Sequence, residues 1–274
     1  MNKNLFDLCK RYYLVTGAAG LLGRQHCEAI LSANGIPVAI DLNEDGLVQM
    51  KKEIKETHNI DFPIFSCSIT EINELNKLKD FLIKKEIILS GIINNAAINP
   101  TMKEANKRSK NRLENYDIEL WDLELNVGLK GSYLVVRTFA DQLLSHKHNG
   151  VIINISSDLG LIAPDQRIYK KNGIEEKEQS VKPITYSVIK AGLIGMSRYF
   201  STYFNGRIRS NALCPGGVEN GQDEEFLTKV KSLIPAGRLA KVDEYRGTII
   251  YMLSDASDYM NGAILSIDGG RTAW

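Results

Sequence analysis

This sequence is short of cysteine, of net charge and of long apolar runs, and each shortage excludes something. Its four cysteines, Cys9, Cys27, Cys67 and Cys214, are scattered over 274 residues without a C-x-x-C pair. A disulfide scaffold is excluded, and reduced thiols in a cytoplasmic protein are expected. A formal net charge of +1 provides no global field to draw in nucleic acid or an anionic membrane surface. No apolar stretch approaches the ~20 residues that cross a bilayer. The N-terminal run "MNKNLFDLCKRYYLV" is interrupted by Asp7, Lys10 and Arg11, so a signal peptide is not expected. Repeats, low-complexity tracts and Pro/Ser-rich linkers are also lacking, which leaves one domain over residues 1–274. No metal site is expected.

What is present is an alternation. Short apolar runs, "YYLV" (12–15), "PVAID" (37–41), "FPIFS" (62–66), "GIINN" (91–95) and "GVIINIS" (150–156), read as strands. "GRIRSNALC" (206–214) and "GAILSID" (262–268) follow as later ones. Helical patterns lie between them, at 21–34, 44–58 and 71–85. Strands this apolar, separated by helices, imply a doubly wound parallel sheet of the Rossmann type with helices on both faces. Ligands of such sheets sit at the carboxyl ends of the strands. Two polar stretches, 99–115 and 163–183, interrupt the pattern. Loops that long in a compact domain are functional or disordered.

Three features carry chemistry. "VTGAAGLLG" places Gly17, Gly20 and Gly23 between a strand and a helix, where bare backbone and a helix N-terminus suit a pyrophosphate. A tight turn is the plainer alternative. Asp41 ends the second strand, 24 residues after Gly17. A carboxylate there accepts from ribose hydroxyls and repels a 2′-phosphate, and the following Leu42 and Asn43 bring no arginine. The expected cofactor is NAD(H) rather than NADP(H), with a helix cap as the alternative role for Asp41. Third, Tyr186 and Lys190 stand four apart at the start of a helical pattern, so they share a face. An ammonium beside a phenol favours the phenolate and moves the tyrosine towards general acid/base use. Ser156 and Ser157 close a buried strand, and Asn126 lies inside a long helical pattern.

Assembled, these residues resemble the short-chain dehydrogenase/reductase family in its compact single-domain branch. The likeness runs through Thr16–Gly23, Asp41, "NNAA" (94–97), Asn126, "NISS" (154–157), "YSVIK" (186–190), "NALCPGGV" (211–218) and "IDGG" (267–270). It implies a tetrad. Tyr186 is the general acid/base, and Lys190 lowers its pKa and holds the nicotinamide ribose. Ser157 bonds the substrate oxygen, and Asn126 holds a water in a proton relay. It also implies that Gly17, Ala19, Gly20, Leu21 and Leu22 hold the pyrophosphate side, with Asp41, Leu42, Ser68 and Ile69 around the adenosine. Asn94 and Asn95 fix the strand edge, Ala96 and Ala97 continue it, and Pro215, Gly216, Val218 and Asn220 lie along the nicotinamide. A homo-oligomer, dimer or tetramer, follows from the same likeness, with the helix at 184–204 pairing across subunits.

The chain also departs from the family. Its G-x-x-G-x-x-G spacing looks like the extended, nucleotide-sugar branch. Ser68 stands where an aspartate is usual, and Asn220 where a threonine is. Ser157 and Tyr186 are 29 positions apart, about twice the usual separation. The extra segment emerges beside the site, and with the basic cluster Lys103–Arg112 it is expected to cap a polar substrate. A solvated insertion is the alternative. Several longer stretches, among them "SDLGLIAPDQRIY" and "DGGRTAW", resemble the flagellin modification oxidoreductases of bacterial pathways to legionaminic acid and related surface sugars. Arg108 and Arg167 would then bind an anionic sugar phosphate or nucleotide sugar. The alternatives are a 3-oxoacyl- or steroid-type reductase of the same branch, and a non-catalytic NAD(H)-sensing protein.

Overall fold

Seven short strands lie side by side in the order β3-β2-β1-β4-β5-β6-β7, all parallel. The computed structural model describes residues 4–98, 111–145 and 149–274. The strands are β1 (Tyr12–Thr16), β2 (Ile36–Asp41), β3 (Ile64–Ser66), β4 (Leu89–Asn94), β5 (Gly150–Ile155), β6 (Ile208–Pro215) and β7 (Ile264–Ile267). β4, β5 and β6 are buried along their whole length, as strands covered on both faces must be.

Among the described residues eight α-helices accompany them: α1 (Leu21–Ser32), α2 (Glu44–His58), α3 (Ile72–Lys84), α4 (Ile118–Leu125), α5 (Ser132–Ser145), α6 (Ile184–Tyr203), α7 (Glu224–Lys231) and α8 (Arg246–Leu253). Apolar side chains of α1, α2 and α8 form one core with one sheet face, including Ile30, Met50 and Met252. Those of α3, α5 and α6 form a second core on the other face, including Leu78, Phe139 and Phe200. Each such side chain contributes about 1.5–3 kcal/mol by leaving water. The chain is therefore a three-layer sandwich, as the alternation of runs implies.

Local chemistry sets the element ends. α2 begins where the Asn43 side chain accepts from the Gly46 N–H, has Glu44 and Asp45 in its first turn, and stops at Asn59 with φ 51°. Asn43 is thus the cap, and Asp41 is released from the capping role left open above. α4 does not run on into α5. Asn126–Gly131 forms a π-helical segment between them, where the periodicity suggested a continuous helix. The segment packs against α6 through two glycines. A Cβ on Gly128 would lie 2.5 Å from Ile189, and one on Gly192 2.8 Å from Leu129. No described helix is long and apolar enough to cross a membrane.

The insertion 163–183 folds as short helical turns, with Ile168 and Gln179 buried and 175–178 exposed. Its Gln179 amide bonds Lys171 O and Ile174 O, and its carbonyl accepts from the Lys171 N–H. Ile168 is buried against Leu227, Val230 and Ile234 of the α7 region, and the Tyr169 and Phe226 rings lie 5.7 Å apart. Lys171 pairs with Asp223, and Lys229 donates to Lys170 O.

Candidate active site

Strand order reverses at β1, so the loops after β1 and β4 flank the crevice where open α/β sheets bind ligands. Gly17 leaves β1 with φ 63°. Asn95 leaves β4 and ties the two loops together. Its amide nitrogen donates to Thr16 O at 3.0 Å and Gly17 O at 3.1 Å. Thr16 Oγ1 accepts from the N–H groups of Asn95 and Ala96, both at 3.0 Å. α1 then starts at Leu21 without a side-chain cap or an acidic residue in its first turn. Its first N–H groups and positive dipole end are left for an anion.

The fit of a dinucleotide can be tested on the loop itself. A Cβ on Gly20 would meet Gly17 O at 3.3 Å and otherwise open space, so the outer side of the turn is a bare cradle. Asp41 stands beside it, accepting from the Ala19 N–H and the Asn43 N–H, each at 3.0 Å. The nearby cation Arg24 is committed to Glu28 and Glu53. Ser68 is less available than expected. Its hydroxyl lies 2.8 Å from Thr70 Oγ1 and accepts from the Thr70 N–H, and its own N–H is held by Glu74. On the far side, Gly216 N–H donates to Ile267 O and Gly216 O accepts from the Tyr245 hydroxyl at 3.0 Å. Val218 bridges to Ala240, and the Asn220 N–H is held by Gln222.

Tyr186 and Lys190 sit one turn apart on α6. The Lys190 ammonium donates to Ile155 O at the end of β5, 2.8 Å away, and stands 5.7 Å from the Tyr186 ring centre. Ser156 Oγ donates to Lys190 O, which locks helix to strand. Ser157 is next to Tyr186: its hydrogen bond favours the phenolate, although burial outweighs it and raises the phenol above its ordinary value. The lowering expected from Lys190 is therefore not what the protein alone displays, because this ring is desolvated. Burial also pushes Lys190 down to about 8, with repulsion from Lys182 adding to it. Below the four runs a buried polar ladder: Asn94 amide to Asn154 Oδ1, Asn154 amide to Ser197 Oγ, both 2.8 Å, and Ser197 Oγ to Leu193 O.

A cavity of ≈ 370 Å³ opens on this face, lined by Tyr186 and Lys190, by Glu124, and by residues 168–171 and 180–183 of the insertion. Neither Arg167 nor Asn126 lines it. Arg167 is folded back on Asp165, with its Nη2 2.7 Å from Oδ2, and its side chain is 83% exposed. The carboxylate two residues away holds the guanidinium outside the cavity. Arg108 lies outside the described residues.

Four residues that the sequence did not single out are built into the site. Asp158 accepts from the Ser157 hydroxyl at 2.7 Å and forms a buried ion pair at 3.2 Å with Arg271 from the closing "DGGRTAW". Glu124 accepts from the Tyr116 hydroxyl at 2.6 Å and from the Thr185 hydroxyl. Lys182 holds its ammonium 3.7 Å from the Tyr186 ring centre, closer than Lys190 does. Burial pushes Lys182 down to about 8, while Asp158 and Glu124 pull it back up.

A family model described as enoyl-(acyl carrier protein) reductase matches residues 17–272. The chain belongs to the short-chain dehydrogenase/reductase family. It is 28% identical over 259 residues to the post-translational flagellin modification protein A of Campylobacter coli, covering 93% of this chain and 96% of that protein. It is 29% identical over 262 residues to the 3-oxoacyl-[acyl-carrier-protein] reductase FabG of Thermotoga maritima, covering 94% and 96%. A gluconate 5-dehydrogenase from Burkholderia cenocepacia, solved in complex with NADP and tartrate, shares the fold with a TM-score of 0.83 at 23% identity, covering 99% and 98%. This chain is an oxidoreductase of the short-chain dehydrogenase/reductase type, acting on CH–OH groups with a nicotinamide dinucleotide.

Proposed function

We propose that this short-chain dehydrogenase/reductase uses NAD(H) to interconvert a secondary alcohol and a ketone on a sugar-derived substrate, a sugar phosphate or nucleotide sugar of surface-glycan biosynthesis. The observation that carries the reading is Tyr186, beside Ser157 and one turn from Lys190, in the wall of a cavity that five lysines line among the described residues. Among the described residues the Lys182 ammonium in that wall has no ion-pair partner, which suits an anionic group on the substrate. The likeness to flagellin modification protein A supports the same substrate class. The second reading is a 3-oxoacyl reductase, favoured by the likeness to FabG.

In this reading the cofactor, when bound, supplies or takes the hydride. Gly17–Leu22 and the free end of α1 hold its pyrophosphate, Asp41 its adenosine ribose, and Pro215–Val218 and Asn220 its nicotinamide end. Tyr186 gives a proton to the carbonyl oxygen in reduction or takes it from the hydroxyl in oxidation. Ser157, whose hydroxyl donates to Asp158 in the protein alone, would turn that proton to the same oxygen. Lys190 stays aligned by its bond to Ile155 O. Asn126, at the start of the π-helical segment, would hold the relay water. The insertion 163–183 covers the substrate and limits water. An apolar stripe on α6, with Val188, Tyr199 and Tyr203 exposed, supports assembly as a homo-oligomer.

The test is direct. Purified protein is assayed with NAD⁺ and NADH against sugar phosphates, nucleotide sugars and acyl thioesters. Turnover of thioesters alone would favour the second reading. Cofactor choice is tested in the same assay with Asp41→Ala. Removing the carboxylate lifts the repulsion of a 2′-phosphate and frees the Ala19 and Asn43 amides, so the NAD(H) over NADP(H) preference in kcat/KM falls about tenfold or more. A wild type that prefers NADP(H), or a variant with unchanged preference, removes Asp41 from that role.

A further inference from the structure

We propose that Lys182 is the anion-recognising, specificity-determining residue of this site: it receives a carboxylate or phosphate carried by the substrate close to its reacting carbon. The inference rests on the oxidoreductase reading above and deepens it. Lys182 lies in the insertion, immediately before Pro183, and its position is fixed at both ends. Its N–H donates to Gln166 Oε1 at 2.9 Å, and α6 begins two residues later. Its ammonium stands over the face of the tyrosine ring, 3.7 Å from the centre. A substrate oxygen at the Tyr186 hydroxyl therefore brings groups on the neighbouring carbons within reach of Lys182 Nζ.

The other lysines of the cavity wall are committed. Lys170 pairs with Glu176, Lys171 with Asp223 and Lys229 with Glu225, and Lys190 donates to Ile155 O. Among the described residues the Lys182 ammonium has neither an ion pair nor a hydrogen bond. The two carboxylates that face it are engaged elsewhere, Glu124 by Tyr116 and Thr185, Asp158 by Ser157 and Arg271. A cation drawn from water without an anionic partner is costly, and a ligand anion would relieve that cost. The ring face below offers weaker compensation. A cavity of ≈ 370 Å³ is large enough for a monosaccharide-sized acid or phosphate.

Three probes share one six-carbon chain and differ at one end: sorbitol, gluconate and sorbitol 6-phosphate. Calorimetric titration of each into the NADH-loaded full chain is the test. The wild type should bind one anion at least tenfold more tightly than sorbitol. In Lys182→Met that anion should bind no better than sorbitol, whereas Lys182→Arg should keep the preference. Whichever anion gains identifies the source, carboxylate or phosphate. A wild type without preference for either anion, whether all three bind alike or none binds, overturns the proposal, as does a Met variant that retains the preference. NADH affinity is measured first in each protein. A wild type that fails to bind NADH counts against the oxidoreductase reading itself and is thereby told apart.

Discussion

Replacing Tyr186 with phenylalanine is expected to lower kcat by about 10²–10⁴-fold, the range that a positioned general acid/base supplies. NADH affinity is expected to stay where it was. The substitution removes one oxygen and little else. The ring remains on α6, Lys182 keeps its face to lie against, and the neighbouring anchors Thr185 and Ile189 are buried and unaffected. Lys190 keeps its bond to Ile155 O, so the cofactor side of the site is undisturbed. What goes is the proton donor beside Ser157. Burial raises the phenol above its ordinary value, so at neutral pH it is protonated in the protein alone and is poised to donate. Steady-state rates in both directions, set beside an NADH titration, decide the matter. Full kcat in the variant would take Tyr186 out of the mechanism.

Much of this site was legible because the residues concerned are local. The strand ends, the glycine loop and the Tyr186–Lys190 spacing are each written within a few positions, and hydrophobic periodicity places them at one edge of the sheet. Asn43 as the cap of α2 was legible in principle too, from "DLNED", yet a carboxylate two residues earlier offered the same chemistry. The residues that escaped are joined over long separations. Glu124 meets Thr185 across 61 positions, and Arg271 reaches back to Asp158 from the far end of the chain. Lys182 could not be told from Lys177, five positions away in the same charged stretch. One leans on a tyrosine, and the other is 77% exposed beside Glu175. Arg167 misled for the opposite reason. The nearest carboxylate, Asp165, was two residues away and captured it. The π-helical segment at Asn126–Gly131 departs from the expected continuous helix where Gly128 and Leu129 pack closely on α6, a contact joined over about sixty positions.

Gly23→Ala carries the largest expected loss of cofactor affinity, about 100-fold or more, because the third glycine seats α1 against the first. A Cβ at position 23 would stand 2.0 Å from Gly17 O and 2.8 Å from Ala18 Cα, both backbone atoms. Neither side can yield. Gly17 O already accepts from the Gly20 N–H and the Asn95 amide, and a Cβ on Gly17 would itself lie 2.8 Å from Ala96 Cα. The loop is thus pressed between α1 and the end of β4, and the methyl can enter only if α1 lifts from β1. Overpacking of this kind costs about 1–3 kcal/mol, so the variant should also melt earlier. Gly20→Ala separates the two effects. Its Cβ points away from the fold, 3.3 Å from Gly17 O, and so should weaken NADH binding with little change in melting. If thermal melting and NADH titration showed Gly23→Ala to be as benign as Gly20→Ala in stability, the third glycine would be a bystander. The third glycine lets α1 rest directly on the carbonyl of the first. That contact holds the loop so that its cradle faces the crevice beside β4.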